Sequence, residues 1–194
     1  MFPIPQEFIM VLAALGLLLY FPTNRVQAPD SWFFHDSWLD DYIPLIPYFL
    51  IAYLGLFPYM IATVIFVWST PHAITFFTSI AIAAWTAAVF WYFFPSGILR
   101  KRDLGPGMLA HMIVWIYEND QENNTFPSSH VFYALICSYF LALSFPQFAL
   151  GFAVIGGLIS ISTVLVKQHH VADILGGITW TIASVGLAHW LIAG

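Results

Sequence analysis

Apolar runs long enough to cross a bilayer dominate this chain and leave few choices of fold. They cover residues 4–21, 43–69, 73–94, 130–145, 147–166 and 173–192, and a helix needs about 20 apolar residues to span a hydrocarbon core of about 30 Å. Of the 194 residues, 60% are hydrophobic and 8% are charged, whereas soluble domains carry about 25% charged residues. The sequence therefore predicts an all-α, polytopic membrane helix bundle, one integral membrane domain over residues 1–194 with six transmembrane helices. The first run lacks the basic n-region of a cleaved signal peptide. Pro44, Pro47 and Pro58 predict irregular first turns and a kink in the second. Met108 to Tyr117 is apolar but too short to span, and is expected to form a short interfacial or re-entrant helix between helices three and four.

Six spans impose a parity test. The loops between helices one and two, three and four, and five and six must share one side of the membrane. Those loops hold all five basic residues of the chain, Arg25, Arg100, Lys101, Arg102 and Lys167, together with Ser128, His130, His169 and Asp173. The opposite face has no Lys or Arg. A polar site confined to one end of a bundle suits an enzyme that works on an amphiphile at the membrane surface. Five basic residues in a chain of net charge -5 argue against nucleic acid as a partner. The single Cys137 lies within an apolar run and has no intrachain partner for a disulfide.

Two stretches carry the chemistry. In Phe126-Pro127-Ser128-Ser129-His130, Ser128 is a natural helix N-cap, and the N–H groups of the first turn, including that of Ser129, face the loops as an anion site. His130 stands in the same turn, where it can donate a proton. In Ser162-Thr163 through Lys167-Gln168-His169-His170-Val171-Ala172-Asp173, a helix would put His169 and Asp173 on one face. The carboxylate would then hold the imidazole and stabilise its positive form. Each stretch alone also fits a plainer reading: a helix start with an interfacial histidine, a helix-end hydrogen bond, and for Arg100 to Arg102 an anchor to anionic headgroups. Asn123-Asn124-Thr125 fits a glycosylation sequon. No Asp/Glu/His cluster has the spacing of a metal box.

These motifs resemble those of the type 2 phosphatidic acid phosphatase superfamily of membrane enzymes. Pro127-Ser128-Ser129-His130 is similar to the family's Pro-Ser-Gly-His motif, and Ser162-Thr163, five residues, then His169-x3-Asp173 is similar to Ser-Arg-x5-His-x3-Asp. Phe94-Pro95-Ser96-Gly97-Ile98-Leu99-Arg100 resembles the Phe-Pro-x4-Arg variant of the first motif, found in the branch that includes inositol phosphorylceramide and sphingomyelin synthases. Two departures stand out, the first being that the family's Lys-x6-Arg-Pro motif is not present as such. Thr163 replaces the arginine of the third motif, and Lys167, four residues on and on the same helical face, is the expected substitute.

The resemblance implies phosphoryl transfer without metal or cofactor. His169 is the nucleophile that forms a phosphohistidine, His130 the acid that protonates the departing lipid oxygen, and Asp173 the orienting carboxylate. Arg100, Lys101, Arg102, Lys167, Ser128 and Ser129 would bind the phosphoryl oxygens. The expected substrate is a phospholipid, polyprenyl or sphingolipid phosphate among membrane lipids, hydrolysed as a phosphomonoester or diphosphate. Transfer of a phosphoalcohol headgroup between lipids is the alternative, and a non-catalytic lipid-binding or transport protein is the third reading. The basic loops alone would place the site in the cytoplasm, whereas the resemblance implies an extracytoplasmic or lumenal face.

Overall fold

The computed structural model describes residues 5–26, 38–100 and 103–193. Ten helices are named here in chain order. They are α1 (Gln6–Leu18), α2 (Tyr20–Thr23), α3 (Trp38–Tyr42), α4 (Leu50–Leu54), α5 (Leu56–Val67), α6 (Ala73–Phe93), α7 (Met108–Asn119), α8 (Ser129–Ser144), α9 (Ala149–Leu165) and α10 (Val171–Ala193). Short 3-10 turns over Pro47–Phe49 and Pro146–Phe148 lead into α4 and α9. There is no strand among the described residues.

Among the described residues, five helical stretches are long and apolar enough to cross a membrane: Gln6–Thr23, Pro47–Val67, Ala73–Phe93, Pro146–Leu165 and Val171–Ile192. The second breaks at Gly55, between α4 and α5. Pro58 explains the break, because it has no N–H for the carbonyl of Leu54 and its ring crowds that carbonyl. The remaining apolar run is α8, at 16 residues shorter than those five.

Helix α8 is central despite its length. Val131, Phe132, Ala134, Ile136, Cys137 and Phe140 on it are fully buried, enclosed by α5, α6, α9 and α10. The outer surface is apolar instead: Ile61, Ile65 and Phe66 on α5, Leu150 and Leu158 on α9, and Leu175, Ile182 and Trp190 on α10 are exposed. Hydroxyls inside the helices bond to their own chains. Thr63 donates to the Tyr59 carbonyl, Ser79 to that of Thr75 and Ser160 to that of Gly156, each at 2.8 Å, so they cost the apolar interior little.

Between helices in an apolar medium, close backbone approach does the work that the hydrophobic effect does in water, and small residues allow it. A Cβ on Gly16 of α1 would stand 2.8 Å from the Cβ of Ala84 on α6. On α9, Gly156 lies against the Ser138 side chain of α8, whose hydroxyl also meets the Tyr59 hydroxyl of α5 at 2.9 Å. On α10, a Cβ at Gly177 would come within 2.6 Å of the Val131 Cβ and 2.9 Å of the Ser128 carbonyl oxygen. Gly177 thereby sets how closely α10 approaches the start of α8, where Ser128 and His130 sit. Gly177→Ala is expected to destabilise the bundle by about 1–3 kcal/mol, the usual cost of overpacking. A lowered midpoint of thermal unfolding in detergent would register it, and an unchanged midpoint would contradict the close contact.

Candidate active site

Three chain segments meet at one end of the bundle: 94–100 after α6, 120–130 between α7 and α8, and 165–173 between α9 and α10. Their polar backbone groups are joined to one another. Ile98 donates to the Glu122 carbonyl at 3.0 Å and Phe126 to the Ser96 hydroxyl at 2.9 Å. Ser128 donates to the Asp173 carbonyl at 3.2 Å. The first two bonds clamp the first segment on the second, and the third ties the start of α8 to the start of α10.

The turn that carries His169 is not the continuous helix expected from its spacing. Helix α9 ends at Leu165, and Lys167 adopts φ 54°. The N–H groups of Gln168 and His169 both return to the Thr163 carbonyl, at 2.9 and 3.2 Å, a closure that satisfies carbonyls at a helix C-terminus. Helix α10 starts at Val171, with its N–H on the Asp40 carboxylate at 2.9 Å. His169 thus stands in the turn itself. Its Nδ1 lies 3.0 Å from the Thr125 carbonyl and 3.2 Å from Asp173 Oδ2. A carbonyl oxygen only accepts, so Nδ1 carries a proton, and in the neutral ring Nε2 holds the lone pair. Asp173 is fully buried and also accepts the His170 N–H at 2.9 Å.

His130 lies in the first turn of α8, stacked on Tyr53 with ring centroids 4.0 Å apart, and its ring centroid is 6.3 Å from that of His169. The buried His130 Nε2 has no hydrogen-bond partner among the described residues. Both rings border a polar cavity of about 10 Å³, roughly one water molecule, together with Arg100, Ser129, Thr125, Asn123 and Gln168. Ser128 occupies the N-cap position with extended backbone, but its hydroxyl makes no cap bond and is buried without a partner among the described residues. The small cavity opens on an apolar groove of about 540 Å³ between α1, α5 and α7, with which it shares Tyr20, Tyr53, Asp120, Ser129 and His130. Exposed Phe21, Phe57 and Trp115 stand at the groove's rim.

Arg100 is the basic residue that reaches the cavity among the described residues. Its guanidinium donates to the Asp120 carbonyl at 2.9 Å and pairs with Asp120 Oδ2 at 3.3 Å. It also lies 5.3 Å from the centroid of the Tyr117 ring. Burial pushes the Tyr117 phenol up to about 12, against a smaller lowering by Arg100, so the phenol keeps its proton and donates it to the Val166 carbonyl at 2.5 Å. Tyr117 therefore supports Arg100 on one side and the turn after α9 on the other.

Lys167 is not brought into this cavity. With the helix ended at Leu165 it shares no helical face with Thr163, and its ammonium donates to the Asp40 carbonyl at 2.9 Å. It borders a second cavity of about 480 Å³ that also includes Asp41, Asp103 and Tyr117 and meets the first only at His169 among the described residues. Thr163 is fully buried, with its hydroxyl on the Ser160 carbonyl at 2.7 Å. Lys101 and Arg102 lie outside the described residues, as does His35. The Asn123 amide of the sequon is bonded to the Asn24 carbonyl at 2.9 Å, within the cavity wall.

Sequence reasoning missed Tyr20, Tyr53 and Asp120. The two tyrosines sit among apolar neighbours with no local signal, and only the packing of α2 on α6 and of α4 on α9 brings them to the site. Asp120 opens the polar run 120–125, which was legible as a loop and not as a site wall. Asp173→Ala would strand the Nδ1 proton of His169 from its carboxylate and leave the His170 N–H without its acceptor. A loss of about 1–3 kcal/mol is expected from denaturant unfolding, and ¹⁵N shifts of the parent protein should place the His169 proton on Nδ1.

No curated protein and no solved structure matches the chain. A family model does match, over residues 106–193, a stretch that holds His130, His169 and Asp173 but begins after Arg100. Five helices fit to cross a membrane and this match together mark an integral membrane protein. Over residues 106–193 the chain carries the signature of the PAP2 superfamily.

Proposed function

We propose that this protein is a membrane lipid phosphatase that hydrolyses a lipid phosphomonoester or diphosphate through a phosphohistidine. The observation that carries the reading is the pairing of His169 Nδ1 with Thr125 and Asp173, which leaves Nε2 as a lone-pair nitrogen beside His130 and Arg100. The apolar groove leading to those residues suits the lipid tail. Superfamily membership of the C-terminal part supports phosphatase or phosphotransferase chemistry on lipid phosphates. In this reading α8 is the sixth span and α7 lies in the interface, with Met108 and Trp115 exposed to lipid. The site faces the extracytoplasmic or lumenal side.

The reaction runs in two displacements. Nε2 of His169 attacks phosphorus, the bond to the lipid oxygen breaks, and that oxygen takes the proton of His130. Asp173 stabilises the imidazolium that develops on His169. Water then attacks the phosphohistidine, His130 takes a proton from it, and phosphate leaves with His169 restored. Arg100 and the N–H groups at the start of α8, with Ser128 and Ser129, hold the phosphoryl oxygens as charge moves. Lys101 and Arg102 complete the cradle in this proposal, and Lys167 stands beside the second cavity.

One observation favours transfer to a second lipid, the reaction of the sphingolipid synthase branch. In a headgroup transferase the headgroup stays on phosphorus while one lipid leaves by the groove and another enters in line. The second cavity, beside His169 and bordered by Asp41 and Asp103, gives such a headgroup room. Reconstituted protein should release inorganic phosphate from phosphatidate, phosphatidylglycerophosphate, polyprenyl diphosphate or a sphingolipid phosphate. His169→Ala should abolish release and His130→Ala should lower turnover by about 10²–10⁴. Release that needs a ceramide or diacylglycerol acceptor would replace hydrolysis by transfer, and full function in His169→Ala would leave only the non-catalytic reading.

A further inference from the structure

Asp120 stands where the lipid groove meets the catalytic cavity, and its surroundings define what kind of lipid it tolerates. It is the C-cap of α7. One carboxylate oxygen accepts from the Tyr20 hydroxyl at 2.9 Å and from the Asn24 amide at 2.7 Å, while the other faces Arg100 at 3.3 Å. Four contacts, including Arg100 to the Asp120 carbonyl at 2.9 Å, therefore fix its position from α2, from the segment after α6 and from its own backbone. The side chain is still 25% exposed, and what it borders is the groove and the cavity.

The rest of the groove is largely apolar: among its described lining residues Asp120 is the one Asp, Glu, Lys or Arg. A lipid whose phosphorus lies at His169 must bring the atoms next to its phosphate ester past this carboxylate. An ester carbonyl or ether oxygen there presents lone pairs to lone pairs, and an alkyl group leaves the carboxylate dry. A hydroxyl or ammonium group donates a charge-assisted hydrogen bond. Arg100 does not remove this selectivity. Asp120 uses donors on its two terminal nitrogens, and the buried Nε has no partner among the described residues, so N–H groups remain for the phosphoryl oxygens while Asp120 stays in place.

We infer that Asp120 is a specificity-determining residue that selects lipid phosphates carrying a hydrogen-bond donor, a hydroxyl or an amine, on the carbons beside the phosphate ester. The inference rests on the lipid phosphatase reading and names the substrate class within it. The test uses two single-chain alkyl glycerol phosphates of equal chain length, one with the free 2-hydroxyl and one 2-deoxy, with phosphate release measured from the reconstituted full chain and from Asp120→Asn. Wild type should favour the hydroxyl compound in kcat/KM by about tenfold or more, the worth of one hydrogen bond to a charged group. Asp120→Asn should bring that ratio to within about threefold, since an amide makes the weaker, neutral bond. Both compounds present the same phosphate, so any effect of the substitution on Arg100 cancels in the ratio. Equal rates for the two compounds in wild type would overturn the inference even if the variant failed to fold, and so would an unchanged ratio in a folded variant. If wild type released phosphate from neither compound nor from any other lipid phosphate, the phosphatase reading itself would fall.

Discussion

Asp173 is a fully buried carboxylate in a bundle built almost wholly of apolar side chains, and the arrangement of the site depends on how it is satisfied. The His169 ring and the His170 N–H both donate to its Oδ2, Oδ1 is buried with no hydrogen-bond partner among the described residues, and its own carbonyl accepts from Ser128. Through those bonds one residue joins the start of α10 to the turn after α9 and to the start of α8. An unpaired charge at this depth would cost several kcal/mol. The same bonds that make it tolerable also align the two histidines.

The division between α8 and its neighbours follows from the same economy. A helix facing lipid must be apolar outward, whereas a helix enclosed by protein is free to start with a polar turn. Helix α8 is enclosed, so Ser128, Ser129 and His130 lie in protein surroundings at the bundle's polar end. Gly156 and Gly177 let α9 and α10 press against it, and the loss of side-chain contacts at glycine is offset by closer backbone packing.

Tyr117 and Asp120 show how a short helix outside the long spans reaches the chemistry. Both belong to the C-terminal end of α7. The first touches Arg100 and the Val166 carbonyl, the second Arg100, Tyr20 and Asn24. Arg100, the basic residue described at the cavity, is thus held by α7 and not by its own segment. This positions a cation beside the histidines without a basic residue at Thr163, whose side chain and carbonyl are both spent on closing α9.

Much of this was legible in the residues themselves. Hydropathy runs mark helices because backbone polar groups in lipid must bond within their own segment, and a Pro-Ser-Ser-His start or a His-x3-Asp spacing is local chemistry that survives whatever surrounds it. One local inference failed for a physical reason. The spacing of Thr163 and Lys167 assumed a helix, but α9 ends at Leu165 and Lys167 itself is left-handed; Ser128 is the N-cap as expected, without a side-chain cap bond. What only the tertiary structure decided is which distant groups share a cavity: Tyr53 under His130, Thr125 on His169, Asp120 on Arg100, and Lys167 turned to Asp40. Those contacts join residues from different helices, and helix-to-helix packing, set by small residues and buried bonds, leaves no periodic trace in the segments it brings together.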